Sequence, residues 1–155
     1  MQSRRSNIKK LTTIMPKSYN SVWIHLIFST KNREAVLSKE IRNSVCDFLR
    51  NESILKGYYL DSINGYENHL HLLYKQSLKE SISDFVKWYK GRSSKWINDH
   101  YDFETNFRWQ QGYGVFSVSK ENLERTRNYI YEQERIHLNR SLQKENKLLI
   151  TKTDS

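Results

Sequence analysis

Two histidines separated by a single leucine, His69 and His71, are the residues of this 155-residue chain best suited to bind a metal ion. They lie in the segment N-H-L-H-L-L, which predicts a strand, and side chains two residues apart on a strand project from the same face. Imidazole is the commonest protein metal ligand, so a pair on a rigid strand is preorganised to bind one ion. The alternative is two half-exposed histidines on an open sheet face, and a third ligand is needed to favour the metal site.

A tyrosine and a glutamine four residues apart form the second candidate site. Tyr129 and Gln133 fall in a predicted helix, where positions i and i+4 lie one above the other on the same face. A tyrosine can act as a covalent nucleophile, although its usual pKa of about 10 requires help from a nearby cation or metal-bound substrate. The alternative is that Tyr129 packs between helix and sheet. Tyr131 points to a different face and is the weaker candidate.

The elements that must position these residues follow from hydrophobic periodicity and capping residues. We predict strands over 21–28, 58–64, 69–75 and 112–118, and helices from the N-cap Ser38 to about 51, over about 78–100, and from the N-cap Ser119 through Leu138. The order strand, helix, strand, strand, helix, strand, helix predicts an α+β fold of the ferredoxin-like or RRM-like kind. Its antiparallel sheet has helices on one face, and its C-terminal helix carries Tyr129.

The net charge of +9 favours a polyanionic partner such as nucleic acid. Residues 1–20 supply +5 of it and residues 138–155 supply +2, so the central part of the chain is nearly balanced. Two basic clusters remain inside that part and are the candidate DNA phosphate contacts, with a solvated helix face as the alternative. These residues are Lys31, Arg33, Lys87, Lys90, Arg92 and Lys95. Tyr89 and Trp96 are candidates for stacking on unpaired bases, or for the core.

Composition also limits the location and domain organisation. The chain has one cysteine, Cys46, and no apolar run long enough to span a bilayer, so we expect a cytoplasmic, nucleoid-associated protein with no membrane partner. We predict one domain over 19–140, preceded by a basic, flexible extension over 1–18 and followed by a polar tail over 141–155.

Taken together, these motifs resemble the single-tyrosine HUH transposases of small bacterial insertion sequences (the IS200-like family), including the transposases associated with repetitive extragenic palindromes. The pieces that carry the resemblance are H-L-H at 69–71, W-Q-Q-G-Y-G-V-F-S-V-S at 109–119 and Y-I-Y-E-Q at 129–133. The segment W-I-H-L-I-F-S-T-K-N-R at 23–33 is similar to the family's first strand and following loop. The combination, in this order and spacing, is specific.

The resemblance implies a metal-dependent enzyme that cleaves and rejoins single-stranded DNA near hairpins by transesterification. In that family the positions matching His69, His71 and Gln133 bind a divalent cation, Mg²⁺ or Mn²⁺, and the position matching Tyr129 forms a 5′-phosphotyrosine. It also implies a homodimer in which the tyrosine helix can serve the partner's histidines. We predict that Gly112 and Gly114 give that helix freedom to move.

The chain departs from the family pattern at one position beside the histidines. Asn68 stands where the family often has aspartate, which weakens a supporting role for that carboxylate and leaves the ligands intact. A noncatalytic RRM-like nucleic-acid-binding module is the alternative function. Against it, no segment matches the RRM aromatic signature, and a binding module gives no reason for Tyr129 and Gln133 to share a helix face.

Overall fold

A computed structural model describes residues 19–141 and Lys144. The predicted extension over 1–18 lies outside the described residues, as does the predicted tail over 141–155 apart from residues 141 and 144. No helix in the described part of the chain is long and apolar enough to cross a membrane.

A four-stranded antiparallel sheet confirms the predicted α+β fold. Its strands lie in the order β2-β3-β1-β4. Their bounds are β1, Trp23–Ser29; β2, Tyr59–Tyr66; β3, His69–Lys75; and β4, Gly114–Val118. Each predicted strand is present: β3 has the predicted bounds, and the ends of the other strands differ from the prediction by at most two residues.

The sheet is accompanied by the α-helices α1, Lys39–Lys56; α2, Ile82–His100; and α3, Leu123–Tyr131. The hydroxyl of Ser38 accepts a hydrogen bond from the Ile41 amide at 3.3 Å, which confirms the predicted N-cap of α1. Ser81 caps α2 in the same way, three residues after the predicted start.

Alternation along the strands assigns the two faces of the sheet. Leu70, Leu72 and Tyr74 of β3 enter the core with Phe85 and Tyr89 of α2, so α1 and α2 cover this face. The histidines of β3 therefore project from the opposite face. Because α3 packs against β2 and β3 on that second face, β3 is buried on both sides.

The last predicted helix begins later than predicted and is interrupted at Glu132. A 3-10 turn over Lys120–Asn122 precedes it, and the Ser119 hydroxyl accepts from the Asn122 side chain instead of capping the helix. The helix ends at Tyr131 because Asn64 of β2 donates its amide to the carbonyls of Ile130 and Tyr131, at 3.1 and 3.2 Å. These carbonyls would otherwise accept from the next helical turn. Helical residues resume at 133 after a turn at Glu132.

The glycines predicted to free the tyrosine helix do not lie in the connection to that helix. Gly112 has a φ of +89° and precedes β4, and Gly114 is the first residue of β4, paired with Ile27 of β1. A rotation at either glycine would have to carry a hydrogen-bonded strand with it. The connection between β4 and α3 is the turn Lys120–Asn122.

Candidate active site

The predicted histidine pair lies side by side on the sheet face that α3 covers. The His69 and His71 rings have their centroids 5.0 Å apart at an interplanar angle of 75°. His71 is buried, and burial, followed by the charge of neighbouring His69, lowers its pKa to about 3. Burial also lowers the pKa of His69. Both rings are therefore neutral at physiological pH, the state in which imidazole binds metals.

Asn68 determines which nitrogen of His69 carries the proton. The Asn68 amide nitrogen donates to the Arg33 carbonyl at 3.3 Å, so its oxygen faces His69 Nδ1 at 2.7 Å. An amide oxygen only accepts hydrogen bonds, so Nδ1 holds the proton and Nε2 has a lone pair. Asn68 thus makes the supporting hydrogen bond without a carboxylate, and the weaker support expected from asparagine relative to aspartate stays a prediction.

A left-handed turn positions the Arg33 carbonyl that orients Asn68. Asn32 and Arg33 have φ values of +56° and +53°, in the region that side chains other than glycine rarely adopt. The Asn32 amide donates to the Gln110 side chain at 3.0 Å, and Thr30 donates its amide to the Asn68 carbonyl at 2.9 Å. The first bond connects the turn to the segment that precedes β4, and the second connects it to the start of β3. Its strain is thus held at the edge of the candidate site.

Gln133 presents an oxygen to the bare nitrogen of His69. The Gln133 side chain is fully buried, and its amide nitrogen donates to the Tyr129 carbonyl at 3.2 Å. Its oxygen therefore points at His69 Nε2, also 3.2 Å away. With His69 in this tautomer, two atoms with lone pairs face each other, and a cation bound to both would satisfy them.

His25, which the sequence analysis did not single out, completes the environment of His71. Its Nε2 lies 2.8 Å from His71 Nδ1, and the two rings stack with centroids 5.1 Å apart. Burial lowers the pKa of His25, so its ring is neutral. For His71 Nε2 to have a lone pair, Nδ1 must hold the proton and donate it to His25. His25 lies on β1 two residues from Ile27, which pairs with His71, so His25 and His71 project from the same face. The only signal in the sequence was the position of His25 in the predicted first strand.

Tyr129 lies next to the histidines of its own chain. Its ring centroid is 5.7 Å from that of His71 and 6.2 Å from that of His25, both edge-to-face, and its side chain is 40% exposed. Arg127 fixes the helix by a bidentate ion pair with Asp61 at 2.8 Å for each bond. Asp61 is the extra residue of a β-bulge between Leu60 and Ser62, which turns its side chain toward the helix.

A further histidine follows Gln133 by one helical turn. His137 Nε2 lies 3.2 Å from the Gln133 oxygen, and its ring stacks on Tyr66 with centroids 4.7 Å apart. Within the described residues, no group of three or more His, Cys, Asp and Glu side chains forms a metal site on its own. A site here therefore depends on the Gln133 oxygen.

The structure separates the predicted basic residues into two groups. Lys31 and Arg33 are exposed on the turn beside Asn68, at the edge of the histidine cluster. Lys87, Lys90, Arg92 and Lys95 lie on α2, on the other side of the sheet from the histidines.

Three of the basic residues on α2 already have partners within the chain. Lys90 donates to the carbonyls of Gln110 and Gly112, at 2.8 and 2.6 Å. Arg92 lies 3.7 Å from Glu52, and Lys95 lies 2.7 Å from Asp99. Tyr89 is fully buried, and Trp96 stacks on Phe48, so both belong to the core and not to a base-stacking surface.

Comparison with known proteins identifies relatives of this chain. The ISDra2 transposase TnpA of Deinococcus radiodurans is 29% identical over 115 residues, covering 70% of this chain and 81% of the relative. The transposase for insertion sequence element IS200 of Salmonella typhimurium is 29% identical over 114 residues, covering 70% of this chain and 74% of the relative.

Solved structures share the fold. A crystal structure of a candidate transposase from Deinococcus radiodurans R1 superposes with a TM-score of 0.58 at 27% identity, covering 77% of this chain and 96% of that one. A REP-associated tyrosine transposase bound to a REP hairpin superposes with a TM-score of 0.52 at 11% identity, covering 79% and 74%.

The family model described as transposase IS200 like matches residues 18–133. The matched segment includes His69, His71 and Tyr129 and ends at Gln133, so it contains every residue predicted for catalysis and metal binding. His137 lies beyond it. With about three quarters of its length matched, the chain belongs to the IS200-like transposase family.

Proposed function

We propose that this transposase cleaves and rejoins single-stranded DNA near hairpins by metal-assisted transesterification, with Tyr129 as the nucleophile. One observation carries the proposal. The unprotonated nitrogen of His69 and the oxygen of Gln133 face each other at 3.2 Å, one helical turn from the exposed phenol of Tyr129. A cation-binding pair next to a reachable nucleophile suits attack on a phosphodiester.

His69 Nε2, His71 Nε2 and the Gln133 oxygen would hold the divalent cation. When bound, the cation polarises the scissile phosphate and compensates the charge that develops in the transition state. Mg²⁺ and Mn²⁺ both accept amide and water oxygens, and two imidazole ligands favour Mn²⁺, because Mg²⁺ prefers oxygen ligands throughout.

The chemistry assigned to Tyr129 exchanges one phosphate ester for another. The bond from the phenol oxygen to phosphorus forms while the bond from phosphorus to the 3′ oxygen breaks. The phenol gives up a proton and the departing 3′ oxygen gains one, which leaves a 5′-phosphotyrosine and a free 3′-hydroxyl. Because the two esters are similar in energy, a 3′-hydroxyl can reverse the step and join strands without ATP.

A fold relative supports hairpin DNA as the partner. The REP-associated tyrosine transposase was solved with a REP hairpin bound, and it shares the fold of this chain. We propose that Lys31 and Arg33, at the edge of the site, contact the DNA backbone. The contacts assigned to Lys87, Lys90, Arg92 and Lys95, and the homodimer with shared sites, stay predictions. The contact between Tyr129 and the histidines of the same chain favours catalysis within one subunit.

A covalent adduct tests the proposed function directly. Labelled single-stranded DNA containing a hairpin is incubated with the protein and Mn²⁺ or Mg²⁺ and separated on a denaturing gel. We expect an adduct that requires the metal and disappears in Tyr129→Phe, while Tyr131→Phe, a matched change two residues away, retains it. An adduct that persists in Tyr129→Phe contradicts the assignment. DNA binding without any adduct would favour the noncatalytic module.

A further inference from the structure

A cavity on the far side of Tyr129 from Gln133 has no role in the proposed metal site. It lies between β4 and the start of α3, and its volume is about 370 Å³. Tyr129 and His25 form the wall shared with the histidine cluster, and Phe116, Ser119, Arg125 and Thr126 are among the residues that line the rest. Cavities for small ligands range from about 300 to 1,000 Å³, so this one has room for a single nucleotide and not for a duplex.

The charge of the cavity suits an anion. Arg125 is the one residue of its lining with a full charge, and no carboxylate lines it. Arg125 takes no part in the salt bridges of the described residues, whereas Arg127, two positions further along α3, is held by Asp61. The two arginines thus have different roles, one fixing the helix and the other facing the cavity. A guanidinium of this kind binds phosphate oxygens through paired donors.

Phe116 provides the cavity with an exposed aromatic face. Its side chain is 57% exposed although it projects from the sheet beside His25, whose ring centroid is 6.3 Å away. An aromatic ring on a sheet is a platform for an unpaired base, because every base has a π-face that can stack on it. The polar groups of Ser119 and Thr126 add hydrogen-bonding capacity around the same space.

We propose that this cavity is a subsite for one unpaired nucleotide next to the scissile phosphate, with its base stacked on Phe116 and a backbone phosphate bound by Arg125. The inference rests on the proposed function, because it places DNA at Tyr129. It assigns DNA contacts to the histidine side of the sheet, where the basic residues of α2 do not reach. It also requires single-stranded DNA at this point, since a paired base cannot lie flat on Phe116.

The test measures binding of fluorescein-labelled dT12 by anisotropy over a range of NaCl concentrations. Tyr129→Phe is the parent protein, so that binding is measured without cleavage. Arg125→Gln should reduce the slope of log Kd against log salt by about 0.7 for each phosphate that the arginine neutralises in the parent. Phe116→Leu should weaken binding about 5- to 150-fold. Arg50→Gln, the same change of charge on α1, should leave both quantities unchanged, because Arg50 lies on the opposite face and pairs with Asp47.

An oligomer of the same length with abasic residues separates stacking from other effects of Phe116. The parent and Phe116→Leu should bind the abasic oligomer equally. The subsite is overturned if Arg125→Gln leaves the salt slope of the parent unchanged, or if Phe116→Leu binds dT12 as tightly as the parent. The adduct assay, run in parallel on the protein with Tyr129 intact, tests the proposed function separately. An adduct with unaffected dT12 binding in the variants rejects only the subsite. Impaired dT12 binding without an adduct supports the subsite and rejects only the cleavage.

Discussion

The hydrogen bond between His25 and His71 makes a quantitative prediction about metal affinity. If His71 binds a cation through Nε2, its Nδ1 must hold the proton and donate it to His25 Nε2, 2.8 Å away. His25→Met removes the acceptor and keeps a side chain of similar length. His25→Gln keeps an oxygen that reaches the same position.

The magnitude follows from the burial of His71, whose side chain is 4% exposed. Without metal, the ring in His25→Met can move its proton to Nε2 and avoid an unpaired Nδ1–H. With metal bound, the proton must stay on Nδ1, where it has no acceptor. A buried donor without a partner costs about 1–3 kcal/mol, and about 1.4 kcal/mol corresponds to a tenfold change in affinity. We therefore expect Mn²⁺ to bind His25→Met about 5- to 150-fold more weakly than wild type.

Titration calorimetry with Mn²⁺, or the electron paramagnetic resonance signal of free Mn²⁺, measures this affinity without DNA or turnover. His25→Gln should recover most of the loss, and His100→Met, an exposed histidine at the end of α2, should bind Mn²⁺ like wild type. Circular dichroism confirms that each variant is folded. Unchanged affinity in His25→Met, or the same loss in His25→Gln as in His25→Met, would refute the reasoning.

Two further predictions concern the residues that support the site. Asp61→Asn should weaken the bidentate pair with Arg127 by about 1 kcal/mol, because that arginine is half-exposed. Amide hydrogen exchange should then become faster in α3 and not in β1. Exchange in α3 at the same rate as in wild type would show that the pair does not hold the helix. Asn68→Asp should raise the basicity of His69 and tighten Mn²⁺ binding roughly two- to tenfold; calorimetry that finds weaker binding would mean that the bond from Asn68 to the Arg33 carbonyl matters more.

The strands, the helices and the two pairs His69/His71 and Tyr129/Gln133 could be predicted from the sequence because each depends on a local period. That the two pairs form one site was an implication of the family resemblance, since no local period brings a helix to a strand. Spacing of two on β3 gives a shared face, and spacing of four places Tyr129 above Gln133. The break at Glu132 could not be predicted in this way. It depends on Asn64, a residue 66 positions before Ile130, whose amide takes the carbonyls of the helix end.

Local periods also do not reveal which side of a sheet a helix covers. The basic residues of α2 have a clear helical spacing, and only the packing of Phe85 and Tyr89 into the core places them behind the sheet. Tyr89 was a candidate for base stacking because its helical spacing alone did not show that it faces the core. Conversely, Phe116 and Arg125 have no distinctive spacing in the sequence, and they face one cavity only because β4 and α3 meet at Tyr129.

The hairpin of β2 and β3 positions both halves of the candidate site. Gly65 of β2 lies so close to the His69 carbonyl that a Cβ atom there would be 2.0 Å from its oxygen, so the histidine strand cannot approach β2 this closely with any other residue. The same hairpin holds α3 through Asp61 and Asn64. Gln133 then joins the two halves, because one end of its amide bonds to the Tyr129 carbonyl and the other faces His69. A cation between His69 and Gln133 would therefore also fix the backbone that carries the nucleophile, so metal binding and the position of Tyr129 are coupled through one side chain.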